Sequence, residues 1–132
     1  MDSTDADTIT DREISLRPAV PWLVVTLALG VLALVIGVVR LDALPDPYPT
    51  HFGPAGDADR FTDSVLLPAV VGQLTGLSVF ATLLLMRRGA QQVVTPLAAL
   101  GCTLGGGIAA VSIAQYLSDD AVPPPWAFWL LV

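Results

Sequence analysis

The residues best able to do chemistry lie in one polar segment, residues 44–61, which contains the single histidine of the chain. His51 is followed by Asp57 and Asp59, and one imidazole with two carboxylates could in principle bind a divalent cation. The spacing matches no established metal motif, and residues 57–61 lack the glycine and third acidic ligand of a calcium loop. A histidine of this kind more often bonds a carboxylate or a backbone carbonyl within its loop. The remaining alternative is a pH-sensing or ligand-contacting role, because an exposed imidazole gains a proton at mildly acidic pH.

No catalytic motif accompanies these residues. The chain contains no G-x-S-x-G, H-E-x-x-H or glycine-rich phosphate loop, and its three consecutive glycines, residues 105–107, lie in an apolar run. The single cysteine, Cys102, also lies in that run, where a thiolate is disfavoured. We therefore expect a non-enzymatic protein with no catalytic residue, no metal ligand and no cofactor.

Three long uncharged runs surround and follow the polar segment. Residues 20–39, 65–86 and 94–117 carry no charged side chain, and each is long enough to cross about 30 Å of hydrocarbon as a helix. A fourth run, residues 126–132, is too short to cross but starts with aromatic residues typical of a membrane interface. The predicted fold is all-α: a polytopic transmembrane helix bundle with three complete spans, a truncated fourth, and a proline-rich extracytoplasmic loop between the first and second.

The basic residues predict the orientation of these spans. Arginines favour the cytoplasmic ends of membrane helices, and four of the six lie before the first span or between the second and third: Arg12, Arg17, Arg87 and Arg88. The N-terminus is therefore expected inside and the loop outside. Arg40 is the exception to this distribution, because it follows the first span at the outer end. Residues 1–18 are predicted to be a disordered cytoplasmic tail, and residues 19–132 the transmembrane domain of a multi-pass protein of the cell membrane.

Small residues recur at four-residue spacing within the spans. Gly72 and Gly76 in the second span, and Gly101 and Gly105 in the third, are candidates for helix packing, because this spacing lets helix backbones approach closely in lipid. The spacing does not distinguish contacts within one chain from contacts between copies, so a homo-oligomer is the alternative to internal packing. The spans contain no ionisable acid, base or histidine, which argues against a pump or an ion-coupled transporter.

The overall charge limits the class of partner. The net charge is −6 and the chain has no lysine, so phosphate neutralisation has no obvious source and no nucleic-acid partner is expected. The lipid bilayer is the expected surrounding, and a peptide toxin or another membrane protein is a candidate partner.

The loop carries a recognisable pattern of residues. Pro45, Pro47 and Pro49 alternate with other residues, which predicts a stiff extended strut, and residues 53–56 fit a turn. After Leu44-Pro45 come Pro49-Thr50-His51-Phe52, then Gly56, Asp59 and an aromatic at Phe61.

These residues resemble the signature of domain-of-unknown-function family 1648, the N-terminal membrane domain of SdpI-like immunity proteins. The resemblance covers roughly residues 20–86 and implies a helix, loop and helix unit in a small bacterial integral membrane protein. The loop motif itself consists of Pro49, Thr50, His51, Phe52, Gly56 and Asp59, which are the candidates for contact with a ligand. The leading interpretation is recognition of a peptide or envelope ligand by the outer loop, in toxin immunity or sensing. The alternative is a structural or assembly subunit of a membrane protein complex.

Overall fold

The computed structural model describes residues 15–52, 57–86, 91–118 and 121–122. Within these ranges the chain forms three long helices and one two-stranded antiparallel sheet. The elements are α1 (Val20–Val39), β1 (Tyr48–Phe52), β2 (Ala58–Thr62), α2 (Leu67–Leu85) and α3 (Val94–Leu117), with short 3-10 turns at Arg17–Ala19, Leu41–Ala43 and Gln91–Val93.

The three helices have the length and composition of membrane spans. Together with the adjoining 3-10 turns, the candidate spans are Arg17–Val39, Leu67–Leu85 and Gln91–Leu117. Many of their large aliphatic side chains point outward, including Val31, Leu74 and Leu84, each more than 60% exposed. A helix in water turns such side chains toward a core, whereas a helix in lipid can leave them outside. The chain is therefore a multi-pass membrane protein, as the uncharged runs predicted.

The all-α prediction was wrong for the segment between α1 and α2, because β1 and β2 pair there as a hairpin. The predicted proline strut, Pro45 to Pro49, ends inside this hairpin, because Tyr48 and Pro49 belong to β1. Proline is tolerated in this strand because both strands of a two-stranded sheet are edges, where a missing N–H need not interrupt a ladder. The predicted turn at residues 53–56 and the partial span at residues 126–132 lie outside the described residues, as does most of the predicted tail.

The bundle is built around α3, which packs along both α1 and α2, whereas those two contact each other far less. At Gly76 the contact between α2 and α3 is made by backbone atoms. A Cβ atom added at Gly76 would lie 2.5 Å from the Cα of Gly105 and 2.7 Å from the carbonyl oxygen of Gly101. One alanine from each helix is fully buried beside this contact: Ala33, Ala69 and Ala109. Such close approach maximises van der Waals contact between helices that gain little hydrophobic stabilisation from associating in lipid.

One polar side chain links the three helices at the level of these glycines. The Nε2 of Gln73 in α2 donates a hydrogen bond of 3.0 Å to the carbonyl of Gly105 in α3. Its side chain lies over Gly30 of α1, where an added Cβ atom would clash with it, and the methyl group of Thr26 packs over Gly105. A carbonyl oxygen has two lone pairs, so this one can accept from Gln73 and still take part in its own helix. The bond therefore gives the bundle a directional contact at its centre.

Substitution of Gly76 tests the backbone contact between α2 and α3. We expect Gly76→Ala to lower the free energy of unfolding by about 1–3 kcal/mol, the usual cost of overpacking, because the atoms that meet the new methyl group are backbone. The measurement is unfolding of the purified protein in mixed micelles of increasing SDS fraction, followed by circular dichroism.

Gly107→Ala in α3 is the matched control. A Cβ atom there would meet nothing within 4 Å, and alanine favours a helix over glycine by about 1 kcal/mol, so this variant is expected to be neutral or more stable. Equal destabilisation by the two substitutions would contradict the close contact.

Candidate functional site

The hairpin is attached to the bundle through its first residue, Tyr48. This side chain is 1% exposed and packs against Tyr116 of α3, with ring centroids 5.8 Å apart and planes inclined by 53°. The hydroxyl of Tyr116 donates a hydrogen bond of 2.9 Å to the carbonyl of Val65, just before α2. Gly37 of α1 allows the Tyr116 ring to approach, since a Cβ atom there would lie 2.9 Å from it. Tyr116 thus contacts the hairpin, the end of α1 and the segment that leads into α2.

The hydroxyl of Tyr48 is buried and has no hydrogen-bond partner among the described residues. Burial raises the pKa of Tyr48, and the neighbouring Tyr116 adds to the rise. The folded hairpin therefore favours the neutral phenol. Since the raised pKa belongs to the folded state, this group leaves stability unchanged at lower pH and reduces it as the pH rises above about 10, where an unfolded tyrosine ionises.

The register of the hairpin is interrupted once on each strand. The Cα partners are Tyr48 with Thr62, Pro49 with Phe61, His51 with Arg60, and Phe52 with Ala58. Thr50 on β1 and Asp59 on β2 are the residues without a partner in this register. An extra residue of this kind bends its strand and changes the direction of nearby side chains. These two irregularities flank His51 and allow the Asp59 carboxylate to reach it.

His51 and Asp59 form a hydrogen-bonded pair on the surface of the hairpin. The His51 Nδ1 lies 2.5 Å from the Asp59 Oδ1, and the two side chains are 56% and 54% exposed. An ionised carboxylate can only accept a hydrogen bond, so Nδ1 must carry the hydrogen. In a neutral ring the Nε2 atom then keeps its lone pair and can accept a hydrogen bond from a ligand. Exposed pairs of this kind contribute about 0–1 kcal/mol to stability, so the fold depends little on this one.

The surface around this pair combines an aromatic ring with excess negative charge. Phe61 is 54% exposed, and Thr50 and Arg60 are exposed as well. Residues 40–64 contain five aspartates and two arginines, so the segment favours positively charged ligands. Within the described residues, no group of three histidine, cysteine, aspartate or glutamate side chains is arranged to hold a metal ion.

The residues of the predicted loop motif have different environments. Thr50, His51 and Asp59 are exposed, Phe52 is half-buried, and Pro49 is buried. Gly56 lies outside the described residues. The motif therefore divides into a structural part at the base of the hairpin and an accessible part around His51.

The four packing glycines all lie at the contact between α2 and α3 of one chain. Gly76 meets Gly105 and Gly101, and Gly72 lies against Ile108. None of these four is left facing outward, so they give no indication of a second copy or another subunit.

Sequence reasoning missed Tyr48 and Tyr116, which hold the hairpin in place. A tyrosine near the end of a long uncharged run is typical of the membrane interface, and this signal could have drawn attention to Tyr116. Nothing in the local sequence of Tyr48 distinguishes it from an exposed loop residue, because its burial depends on a contact with a distant helix.

The architecture and the hairpin define a multi-pass membrane protein that carries an ordered extramembrane element. Residues 28–71 match the model of a family described as Domain of unknown function (DUF1648). The resemblance predicted from the loop motif is therefore confirmed for these residues, which run from the middle of α1 through the hairpin to the start of α2. No curated protein and no solved structure matches the chain.

Removal of the two tyrosine hydroxyls should affect stability differently. We expect Tyr116→Phe to lower the free energy of unfolding by about 1 kcal/mol, because the buried Val65 carbonyl loses its donor. Tyr48→Phe removes a buried hydroxyl without a described partner, so it should be neutral or stabilising. SDS unfolding of both variants beside the wild type measures the two effects, and the reverse order would contradict the proposed contacts.

Proposed function

We propose that this protein is a non-enzymatic membrane protein that recognises a peptide or another cell-envelope ligand through the exposed surface of its hairpin. The observation that carries the proposal is the His51–Asp59 pair, which lies between two register irregularities and remains accessible. Because the pair contributes little to stability, its arrangement is better explained by contact with a ligand. The Nε2 atom of His51 and the exposed ring of Phe61 supply one polar and one apolar contact.

The proposal places the hairpin outside the cell and the N-terminus in the cytoplasm. The support is the distribution of arginines, since four of six lie on the segments assigned to the inside. In this orientation the hairpin meets secreted peptides and envelope components. The resemblance to the membrane domain of SdpI-like immunity proteins makes a role in toxin immunity or sensing in a bacterial cell membrane the most specific form of the proposal.

The alternative role, a structural or assembly subunit, has less support from the described residues. This role requires helix faces rich in glycine that pack against another membrane protein. Gly72, Gly76, Gly101 and Gly105 are all occupied within the chain, so those faces offer no surface to a partner.

The orientation can be tested with single cysteines. In a Cys102→Ser background, a cysteine introduced by Thr50→Cys should react with a membrane-impermeant maleimide in intact cells, because Thr50 is exposed on the hairpin. A cysteine introduced by Gln92→Cys, exposed at the opposite end of the bundle, should react only after the cells are permeabilised. The reverse pattern would place the hairpin in the cytoplasm and would contradict recognition of an extracellular ligand.

Ligand recognition can be tested by replacing Phe61 with a photo-crosslinking phenylalanine analogue in living cells. Because Phe61 is exposed on β2 two residues after Asp59, we expect a discrete crosslinked product at this position, and loss of that product when His51→Ala is added. The same analogue at Leu74, which is 64% exposed on α2, is the control for contacts with lipid. Matched expression and membrane insertion of the variants are checked by immunoblotting of membrane fractions.

Two results would count against recognition by the hairpin. One is the absence of any product specific to Phe61, and the other is a product whose yield is the same with and without His51. Failure of His51→Ala to accumulate in the membrane would show instead that this histidine is mainly structural, contrary to its exposure.

A further inference from the structure

An apolar groove lies between α1 and α2 at the end of the bundle opposite the hairpin. It forms because both helices pack on α3 but contact each other far less. This α1–α2 groove encloses about 110 Å³ and is lined only by apolar residues, among them Leu23 of α1 and Phe80 and Leu84 of α2. The first turns of α1 and the last turns of α2 form its two walls.

The position of the groove determines the medium that surrounds it. Leu23, Phe80 and Leu84 belong to two of the candidate membrane spans, so the groove opens toward hydrocarbon. For scale, an enclosed apolar cavity of roughly 150 Å³ stays dry and accepts a ligand the size of benzene. The α1–α2 groove is therefore large enough for a short length of hydrocarbon chain and has no polar group that would hold water.

A positive charge lies beside the same end of the groove. Arg17 begins the 3-10 turn Arg17–Ala19, and both Leu16 and Ala19 line the groove. Arg17 is exposed and makes no ion pair with any described residue. A guanidinium group suits phosphate because its N–H groups can bond two oxygens at once.

The segment that carries Arg17 is held in place by two reciprocal hydrogen bonds. The backbone N–H of Ser15 donates to the Oε1 of Gln91 at 2.7 Å, and the Nε2 of Gln91 donates to the Ser15 carbonyl at 2.8 Å. Gln91 begins the 3-10 turn that leads into α3. These bonds hold the backbone of Ser15 beside the start of α3, two residues before Arg17.

We propose that the α1–α2 groove binds one acyl chain of a membrane phospholipid and that Arg17 binds the phosphate of the same molecule. The apolar lining accounts for the acyl chain, and the arginine at the membrane end accounts for the phosphate. A phospholipid whose head carries a net negative charge is favoured over a zwitterionic one, because no second charge on the head opposes Arg17. The inference is independent of the ligand proposed for the hairpin, which lies at the other end of the bundle.

The test uses the full chain in nanodiscs that contain phosphatidylglycerol with a photoreactive group in its acyl chain, together with native mass spectrometry of detergent-released protein. The wild type should retain one phospholipid, and crosslinks should map to residues of the groove. Leu23→Trp fills the groove and should lower the fraction of protein with bound phospholipid by about ten-fold through loss of apolar contacts.

Val24→Trp is the matched control, since Val24 is the next residue of α1, is 57% exposed and does not line the groove. It should retain the phospholipid like the wild type. Arg17→Gln should reduce retention of phosphatidylglycerol more than that of phosphatidylcholine, whereas Arg60→Gln on the hairpin should change neither. Leu84→Trp blocks the groove from the other wall and serves as the second variant where Leu23→Trp does not fold.

Three results would overturn the inference. The first is equal retention by the groove-filling variants and Val24→Trp, and the second is a spread of crosslinks over all exposed helix faces. The third is loss of a dimer in Leu23→Trp with unchanged lipid retention, which would show that a second copy of the chain occupies the groove.

Discussion

The close contact between the backbones of α2 and α3 at Gly76 and Gly105 sets the geometry on which the other contacts depend. At this distance the Gln73 side chain can reach the Gly105 carbonyl. The same side chain lies over Gly30, so the position of α1 depends on it in turn. A larger residue at Gly76 would meet backbone atoms of α3 and would have to move a helix axis, whereas one at Gly30 would meet the side chain of Gln73. In a medium that gives helices little hydrophobic reason to associate, this contact provides both van der Waals attraction and a unique register.

The register of α3 then determines the position of the hairpin. Tyr116 follows Gly105 by about three helical turns on the same side of α3, so fixing Gly105 against α2 also fixes the ring that supports Tyr48. The hairpin separates its structural and accessible residues, with Tyr48 buried at the base and His51 exposed beyond it. The buried Tyr48 hydroxyl works against stability, yet its ring supplies the contact that holds the strands in place. A surface held in this way is preorganised, which would lower the entropic cost of the ligand binding that we propose.

The helices could be predicted from the sequence because a bilayer imposes a length and excludes charge. The uncharged runs at residues 20–39 and 94–117 coincide with α1 and α3, and α2 lies within the run at residues 65–86. The hairpin could not be predicted, because alternating prolines indicated an extended strut and the pairing of β1 with β2 depends on two register irregularities. A bond from His51 to a carboxylate was one of several alternatives from sequence. Only the contact between the His51 and Asp59 side chains in the folded hairpin distinguishes them. The glycine spacing indicated close packing but not its partner, since the choice between α1, α3 and another copy depends on how the helices cross.

The boundaries of the family match have a physical consequence for the proposed recognition. Residues 28–71 contain the hairpin and parts of α1 and α2, but not α3. The buried groups of this unit nevertheless contact α3: Gly37 and Tyr48 meet Tyr116, and Gln73, just beyond the unit, bonds to Gly105. A helix, hairpin and helix alone would leave these groups facing lipid or water, and two strands without further packing are marginally stable. The ordered surface around His51 therefore depends on α3, so residues outside the matched unit, above all Tyr116, belong to the structural basis of any function that the hairpin performs.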